Sequence, residues 1–259
     1  MTAPLVVLGA GGRLGRLLDR LWPDTVARYT RADLDIRDTA LLINRLRGAG
    51  AVLCLAGVTH GSDRPMSLNT TLAELTLAAA ADASAGRVFC MSSAAVYGRG
   101  TGPLRADAAP NPTSPYGVAK AEMEHMARAH PHPTTVLRLG NVAGADAILG
   151  AWQAGFSLDT FPDRSTPKRS YIGPETLARV FVTLATQADL PPVLNIAAGS
   201  VAMGALLDAA ALDWTPRPAP PDAIADVTLD IDPLTALCAI DPDEGTAAAM
   251  VQQWHRARV

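Results

Sequence analysis

The sequence predicts an α/β fold: a doubly wound parallel sheet with helices on both faces and a small C-terminal lobe. From Leu5 to Leu139, short apolar runs alternate with Ala-rich segments of helical spacing. This rhythm is typical of parallel strands joined by right-handed crossovers. The apolar runs lack polar alternation, as expected of strands buried on both faces. The 259 residues, 49% of them hydrophobic, suffice for one sizeable core.

The first half of the chain supplies five of the expected strands. They are predicted at residues 5–8, 25–29, 32–36, 51–56 and 87–91. Between them, helical spacing covers residues 14–21, a segment ending at Leu46, and residues 69–81. Asp38 precedes the second of these helices and is placed to cap its first turn.

The second half continues the rhythm and then loosens. Helices are predicted at 115–129 and 176–187, and strands at 134–139 and 192–197, which gives about seven strands in all. Gly, Pro and polar residues cluster between Gly144 and Gly173. We therefore assign residues 1–143 and 171–198 to the sheet domain. Residues 144–170 and 199–259 are assigned to a small substrate-binding lobe.

Charge and composition exclude several classes of function. The net charge is −3 and no run of Lys and Arg stands out, which argues against nucleic acid and membrane surfaces as partners. Cys54, Cys90 and Cys238 are scattered, as expected of buried reduced thiols, and the five histidines show no metal-ligand spacing. No metal is predicted. The absence of a signal-like or membrane-spanning run predicts a cytoplasmic protein.

A glycine-rich loop follows the first strand and opens the first helix. Gly9, Gly12 and Gly15 have the spacing that lets a backbone turn tightly and approach a pyrophosphate at a helix N-terminus. This predicts a Rossmann-type dinucleotide site. Arginines near the end of the second strand, Arg28 and Arg31, suit a ribose 2′-phosphate, so the cofactor is NADP(H) or NAD(H), with NADP(H) favoured.

Tyr116 and Lys120 lie four residues apart on a predicted helix and therefore share a face. A neighbouring ammonium favours the phenolate, so we expect Lys120 to lower the pKa of Tyr116 toward neutrality. Upstream, the run from Met91 to Gly98, which contains Ser92 and Ser93, offers a hydroxyl to polarise a substrate oxygen. Glu124, further along the same helix, is expected to face solvent.

Several motifs occur in the order found in one known family. They are the glycine loop, Asp35-Ile36, Asn69, Ser93 to Gly98, Tyr116-x-x-x-Lys120, Arg138 to Val142 and Arg169 to Ala178. With them the chain resembles the extended short-chain dehydrogenase/reductases, the NAD(P)-dependent sugar epimerase/dehydratase family. The resemblance implies that Tyr116 is the acid/base, that Lys120 binds the nicotinamide ribose, and that Ser93 hydrogen-bonds the reacting oxygen.

The resemblance also assigns binding residues. The cofactor is expected to contact Gly9, Gly11, Gly12, Arg13, Leu14, Gly15, Arg31, Asp35, Ile36, Leu55, Ala56, Gly57, Asn69, Tyr116 and Lys120. The substrate is expected to contact Thr59, Ser93, Ala94, Asn141 and Arg169, the last as a bidentate partner of a diphosphate. A homodimer built from two helices per subunit is implied as well.

The predicted function is an NAD(P)-dependent epimerase or reductase acting on a hydroxyl or keto carbon of a nucleotide sugar or a related small molecule. The nearest branches in resemblance are the nucleotide-sugar 4-epimerases and the dTDP-4-dehydrorhamnose reductases. The family's 4,6-dehydratases carry Asp-Glu directly after the hydroxyl residue, whereas this chain has Ala94-Ala95, which disfavours a dehydratase. The alternative is a non-catalytic NAD(P)-binding sensor, against which the intact Tyr116–Lys120 pair argues.

Overall fold

The structure is a computed structural model that describes residues 4–59, 63–100 and 102–258. Its strands are β1 (Leu5–Leu8), β2 (Ala27–Tyr29), β3 (Ala51–Cys54), β4 (Arg87–Ser93), β5 (Pro103–Leu104), β6 (Thr134–Leu139), β7 (Asn141–Val142), β8 (Ser157–Thr160), β9 (Lys168–Ile172), β10 (Val193–Ile196), β11 (Gly199–Ala202), β12 (Thr215–Pro218) and β13 (Asp226–Leu229). Its helices are α1 (Arg13–Leu18), α2 (Thr39–Leu46), α3 (Leu68–Asp82), α4 (Pro115–Ala129), α5 (Pro174–Leu184), α6 (Met203–Ala209), α7 (Asp232–Thr235) and α8 (Ala247–Ala257). Short 3-10 helices cover Asp19–Leu21, Ala94–Tyr97 and Pro242–Gly245.

The main sheet confirms the predicted α/β fold. Six strands, all parallel, lie in the order β10-β6-β4-β3-β1-β2. Helices α2, α3 and α4 pack on one face, and α1 and α5 pack on the other. The strand order reverses between β1 and β3, and in such sheets ligands bind in the crevice beyond the carboxyl ends of the strands at this point.

The expected third strand at residues 32–36 is wrong, and a turn takes its place. One carboxylate oxygen of Asp33 accepts from the Thr30 backbone N–H at 2.9 Å and from the Thr30 hydroxyl at 2.6 Å. Such local side-chain bonds compete with sheet pairing. Leu34 and Ile36 are nevertheless buried, which explains why the segment has the apolar alternation of a strand.

The helix that carries Tyr116 and Lys120 has the predicted bounds, as does the strand at 134–139. The Asp38 side chain accepts from the Leu41 N–H, so it caps α2 as expected. The first predicted helix is shorter than expected because α1 ends at Leu18 and a 3-10 turn follows. The helix expected at 176–187 begins earlier, with Pro174 in its first turn, a position that proline favours.

Smaller sheets lie beyond the main one. Strands β11, β9, β13 and β5 form a sheet in that order with β7 beside β9, and β12 pairs with β8. The largest hydrophobic cluster contains Phe181 and Leu194 from the main-sheet layer together with Leu158 and Trp254 from the segments assigned to the lobe. The lobe and the sheet thus share a core, and their division into two domains stays a prediction. In the part of the chain described, no helix is long and apolar enough to cross a membrane.

Candidate active site

Two adjoining cavities open at the carboxyl ends of β1, β3 and β4. The first, called here the loop cavity, has a volume of about 440 Å³ and is lined by the glycine loop and the turn after β2. The second, called the tyrosine cavity, has a volume of about 310 Å³ and contains Tyr116 and Lys120. Both are lined by Gly9, Gly12, Leu55 and Gly57, so they form one cleft. The cleft lies at the predicted dinucleotide site.

The glycine loop is shaped by close backbone contacts. Gly9 has a φ of +85°, and a Cβ there would lie 2.6 Å from the Ala56 backbone N. A Cβ at Gly15 would lie 2.3 Å from the Ala10 carbonyl oxygen, so only glycine lets α1 pack this closely on the loop. Gly12 is different, since a Cβ there would meet only the Gly9 carbonyl oxygen, at 3.3 Å.

Gly12 leaves a ligand room to approach the backbone. It precedes α1 in an extended conformation, and no side chain caps the N–H groups of the first turn. Uncapped N–H groups beside an open glycine fit the pyrophosphate of a dinucleotide. The loop therefore suits the cofactor that the sequence predicts.

The loop cavity is rich in guanidinium groups. Arg31, Arg37 and Arg64 line it, together with Asp35. The Asp35 carboxylate accepts from Arg37 Nη2 at 2.5 Å and from Arg37 Nε at 3.0 Å, and this pairing holds the pKa of Asp35 well below its usual range. Asp33 is engaged with Thr30, as described above. Both carboxylates near the end of β2 therefore have partners within the protein.

Local contacts place Tyr116 at the start of α4. Pro115 occupies the first turn, and the Ser114 hydroxyl caps the helix by accepting from the Gly117 N–H at 3.1 Å. A Cβ at Gly117 would lie 2.5 Å from the Ala95 carbonyl oxygen, so glycine lets α4 press against the 3-10 turn that follows β4. This packing brings Tyr116 beside Ser93, whose side chain acts to lower the pKa of the phenol.

Lys120 lies beneath Tyr116 in the buried part of the cleft. Its Nζ donates to the Met91 carbonyl oxygen at 2.8 Å and lies 5.8 Å from the centre of the Tyr116 ring. Burial lowers the pKa of Lys120 to about 8. Burial also raises the pKa of Tyr116, and its hydrogen bond with Ser93 opposes that rise. The expected lowering of the Tyr116 pKa by Lys120 is therefore wrong for the cofactor-free chain, because the ammonium is directed to Met91.

A buried ion pair stands behind the site. The expectation that Glu124 faces solvent is wrong, since Glu124 and Arg138 are each 1% exposed. Arg138 Nη2 donates to a Glu124 carboxylate oxygen at 2.8 Å, and the Ser92 hydroxyl donates to the same carboxylate at 2.5 Å. The Arg138 guanidinium also lies 4.7 Å from the centre of the Tyr97 ring. Ser92 is thus held by the pair, which leaves Ser93 as the hydroxyl beside Tyr116.

The predicted cofactor residues come together in the cleft. All of them line one cavity or the other: Gly9, Gly11, Gly12, Arg13, Leu14, Gly15, Arg31, Asp35, Ile36, Leu55, Ala56, Gly57, Asn69, Tyr116 and Lys120. Asn69 is nearly fully buried, and its amide donates to the Val58 and Met66 carbonyls and accepts from the Val58 N–H. Its described bonds thus hold the loop after β3.

The predicted substrate residues divide into two groups. Thr59 and Asn141 line the tyrosine cavity. Arg169 does not, because its guanidinium donates to the Lys168 and Ile224 carbonyls at 2.7 Å each. Ala94 packs in a small hydrophobic cluster and is not a lining residue. Ser93 is not a lining residue of either cavity, whereas its neighbour Ser92 lines the tyrosine cavity. The structure therefore does not bring Ser93, Arg169 or Ala94 to the lining of the cleft.

Sequence reasoning missed several residues that line the cleft. They are Thr30, Arg37 and Arg64 in the loop cavity and Asp146 in the tyrosine cavity. Arg37 follows the Asp35-Ile36 motif directly, and that proximity was a usable signal. Within the described ranges, no group of three or more His, Cys, Asp or Glu side chains is arranged to hold a metal ion.

Comparisons with known proteins agree with this geometry. The sequence matches the family described as "NAD dependent epimerase/dehydratase family" over residues 5–197. A UDP-glucose 4-epimerase from Azospirillum brasilense is 43% identical over 92 residues, which are 33% of this chain and 26% of that relative's length. The chain thus matches about a quarter of that protein.

Solved structures resemble the whole chain. One is a UDP-glucuronic acid 4-epimerase from Bacillus cereus in complex with UDP-glucuronic acid and NAD. Its TM-score is 0.77 at 18% identity, and the alignment covers 98% of this chain and 99% of that one. DesIV, a dTDP-glucose 4,6-dehydratase from Streptomyces venezuelae with NAD and TYD bound, has a TM-score of 0.75 at 19% identity and covers 98% of both chains. MoeE5 in complex with UDP-glucuronic acid and NAD has a TM-score of 0.75 at 20% identity, with coverage of 99% and 100%. At these identities the likeness establishes the fold.

Proposed function

The chain belongs to the NAD dependent epimerase/dehydratase family, and from this premise we propose that it is an NAD(P)-dependent enzyme that interconverts a hydroxyl and a keto carbon of a nucleotide sugar or a related small molecule. One observation carries the proposal. Tyr116 and the buried Lys120 line one cavity, which is continuous with the glycine loop, and the Ser93 side chain is near enough to Tyr116 to favour its phenolate. A group that can move a proton and a dinucleotide-shaped loop therefore meet in one cleft, with a hydroxyl beside that group.

We assign the proton at the substrate oxygen to Tyr116. A bound nicotinamide would accept or supply the hydride at the carbon that bears this oxygen. Because burial raises the pKa of Tyr116, the phenol carries its proton near neutral pH in the cofactor-free chain. It is then poised to donate to a keto oxygen, the direction of reduction. In the oxidative direction the same group must accept a proton.

Ser93 and Lys120 are assigned supporting roles. The Ser93 hydroxyl, which lies beside Tyr116, would hydrogen-bond the substrate oxygen and fix it for proton transfer. The Lys120 ammonium lies close to Gly57, since a Cβ built at Gly57 would be 3.4 Å from Nζ. A ribose bound over Gly57 would therefore be within reach of the ammonium. We propose that this ammonium holds the nicotinamide ribose. Thr59 and Asn141, which line the tyrosine cavity, would contact the substrate.

For this chain we propose NADP(H) in preference to NAD(H). Arg31 and Arg37 line the loop cavity, whereas Asp33 is not among its lining residues and one of its carboxylate oxygens accepts from Thr30. A guanidinium there suits a 2′-phosphate. Arg31→Ala should raise the KM for NADPH by about tenfold and change that for NADH little. Arg28, which pairs with Asp19 and does not line the cavity, is the matched control.

Epimerase and reductase remain the two forms of this activity that we propose, and Ala94-Ala95 beside Ser93 supports either over a dehydratase. They differ in stoichiometry: a reductase consumes NADPH with each turnover, whereas an epimerase returns its hydride to the same substrate. The test follows absorbance at the nicotinamide band and product stereochemistry with a panel of nucleotide sugars and simple hydroxy-ketones. A preparation that binds the cofactor but converts none of the panel would contradict the proposal and favour a sensor.

We also propose a homodimer in which α4 contributes to the interface. Val118 on α4 is a large hydrophobic side chain that is 43% exposed, whereas Met123 on the same helix is buried against the sheet. Light scattering after gel filtration should give twice the mass of one chain. Val118→Asp should shift the mass toward that of one chain, and an unchanged dimer would place the interface elsewhere.

A further inference from the structure

Among the described residues that line the tyrosine cavity, Asp146 carries the one carboxylate. No sequence motif pointed to it. It stands in the loop after β7 and shares the cavity lining with Asn141, Tyr116 and Lys120. A charged group in the same small cavity as the proposed acid/base bears directly on which substrates fit there.

Three donors hold the Asp146 carboxylate in one orientation. Oδ1 accepts from the Leu149 N–H at 3.0 Å and from the Gly150 N–H at 3.1 Å. Oδ2 accepts from the Tyr171 hydroxyl at 2.7 Å. Tyr171 is fully buried, and burial together with the Asp146 charge raises its pKa well above the usual value, so it stays a donor. The carboxylate therefore acts only as an acceptor.

Two cations, Arg13 and Lys120, line the same cavity, and neither has a described hydrogen bond or ion pair with Asp146. Arg13 Nη1 reaches the carbonyl oxygen of Ala145, the residue before Asp146, at 3.4 Å, and Lys120 donates to the Met91 carbonyl. Arg169, the cation that the resemblance assigned to an anionic substrate group, is engaged by the Lys168 and Ile224 carbonyls. The lining around Asp146 thus offers an acceptor with a negative charge.

We propose, resting on the proposed function, that Asp146 determines substrate specificity. It accepts a hydrogen bond from a hydroxyl or amino group of the sugar and disfavours a sugar that carries a carboxylate at that place. The substrate class is therefore a neutral or amino sugar rather than a uronic acid. Two like charges a few ångströms apart in a partly buried site repel enough to lower affinity by about a hundredfold.

The test uses UDP-glucose and UDP-glucuronic acid, which differ in the charge at one carbon. The ratio of kcat/KM for the neutral sugar over the acid should be at least about tenfold in the unaltered protein. Asp146→Asn, which keeps the shape and removes the charge, should bring that ratio near one, mainly by improving the acid. Tyr171→Phe removes a donor to Asp146 but leaves its charge, so the discrimination should persist.

Binding separates this inference from the proposed function. The cofactor-loaded Tyr116→Phe variant should bind the neutral sugar more tightly than the acid, whether or not any preparation turns over. Absence of turnover with every candidate would reject the proposed function, and the binding ratio would still decide the role of Asp146. Equal binding of the two sugars, binding of neither, or a ratio unchanged by Asp146→Asn would overturn the inference.

Discussion

Replacing Lys120 with methionine should make the cofactor-free protein more stable. Lys120 is 6% exposed, and the one hydrogen bond described for its ammonium goes to the Met91 carbonyl at 2.8 Å. A buried ammonium loses much of its hydration, and one hydrogen bond recovers only part of it. Methionine fills a similar volume without a charge. Lys120, which we propose to hold the nicotinamide ribose, therefore destabilises the folded protein when no cofactor is bound.

The size of the effect follows from the pKa. Burial lowers the pKa of Lys120 from 10.5 to about 8, and each unit corresponds to about 1.4 kcal/mol, so the ammonium costs about 3 kcal/mol at neutral pH. The Met91 carbonyl loses its partner in the variant, which costs about 1–2 kcal/mol. The free energy of unfolding should therefore rise by about 1–2 kcal/mol in Lys120→Met near pH 7.

The pH dependence gives the sharper test, because the folded pKa lies below the unfolded one. The penalty is fully present below about pH 8, decreases as the pH rises from 8, and is gone above the unfolded value of 10.5. The variant's advantage in stability should be constant from pH 6 to 7.5, decrease above pH 8 and pass through zero as the pH approaches 10, because the unpaired Met91 carbonyl then outweighs the remaining penalty.

Urea denaturation of both proteins at each pH, without cofactor, measures the difference directly. Lys168→Met, at an exposed lysine, is the control and should alter the unfolding free energy little. A difference between Lys120→Met and the parent that does not change between pH 7 and 10, or a variant that is less stable by more than about 2 kcal/mol, would refute this reasoning.

Two other predictions concern the framework of the cleft. Glu124→Gln leaves the Arg138 charge buried without its counterion, which should lower the free energy of unfolding in urea by about 3–5 kcal/mol. Adding Arg138→Met should recover much of that loss. Additive effects of the two changes would contradict a coupled pair. Gly15→Ala places a Cβ 2.3 Å from the Ala10 carbonyl oxygen and should lower both stability and cofactor affinity. Gly12→Ala, whose Cβ would lie 3.3 Å from the Gly9 carbonyl oxygen, should lower the melting temperature much less and act mainly on cofactor binding. Equal losses of stability in the two glycine variants would show that the loop is not shaped as described.

Much of the fold was predictable because its signals are local. The apolar runs, the Asp38 cap and Pro115 at the start of α4 are each determined within a few residues, and the predicted strands and helices follow them closely. The third expected strand failed because apolar alternation reports burial rather than pairing, and the Asp33–Thr30 bonds made a turn instead. Periodicity alone does not distinguish these outcomes.

The site was predictable where spacing places its residues and not where distant partners do. The glycine loop, Tyr116 and Lys120 lie on elements whose geometry determines their direction. Arg169 was misplaced because the segment at 224–225, distant in sequence, supplies carbonyl acceptors for its guanidinium. Asp146 was missed for the same reason, since its bond with Tyr171 joins the loop after β7 to strand β9, which no local pattern relates.

The proposed activity depends on proton transfer by Tyr116. The decisive experiment compares Tyr116→Phe with Tyr29→Phe. Both changes remove one phenolic oxygen, and Tyr29 is not among the lining residues of either cavity. We expect Tyr116→Phe to lower kcat by at least about a thousandfold while cofactor affinity stays within about threefold, with Tyr29→Phe close to the parent. Retention of substantial turnover by Tyr116→Phe would contradict the account.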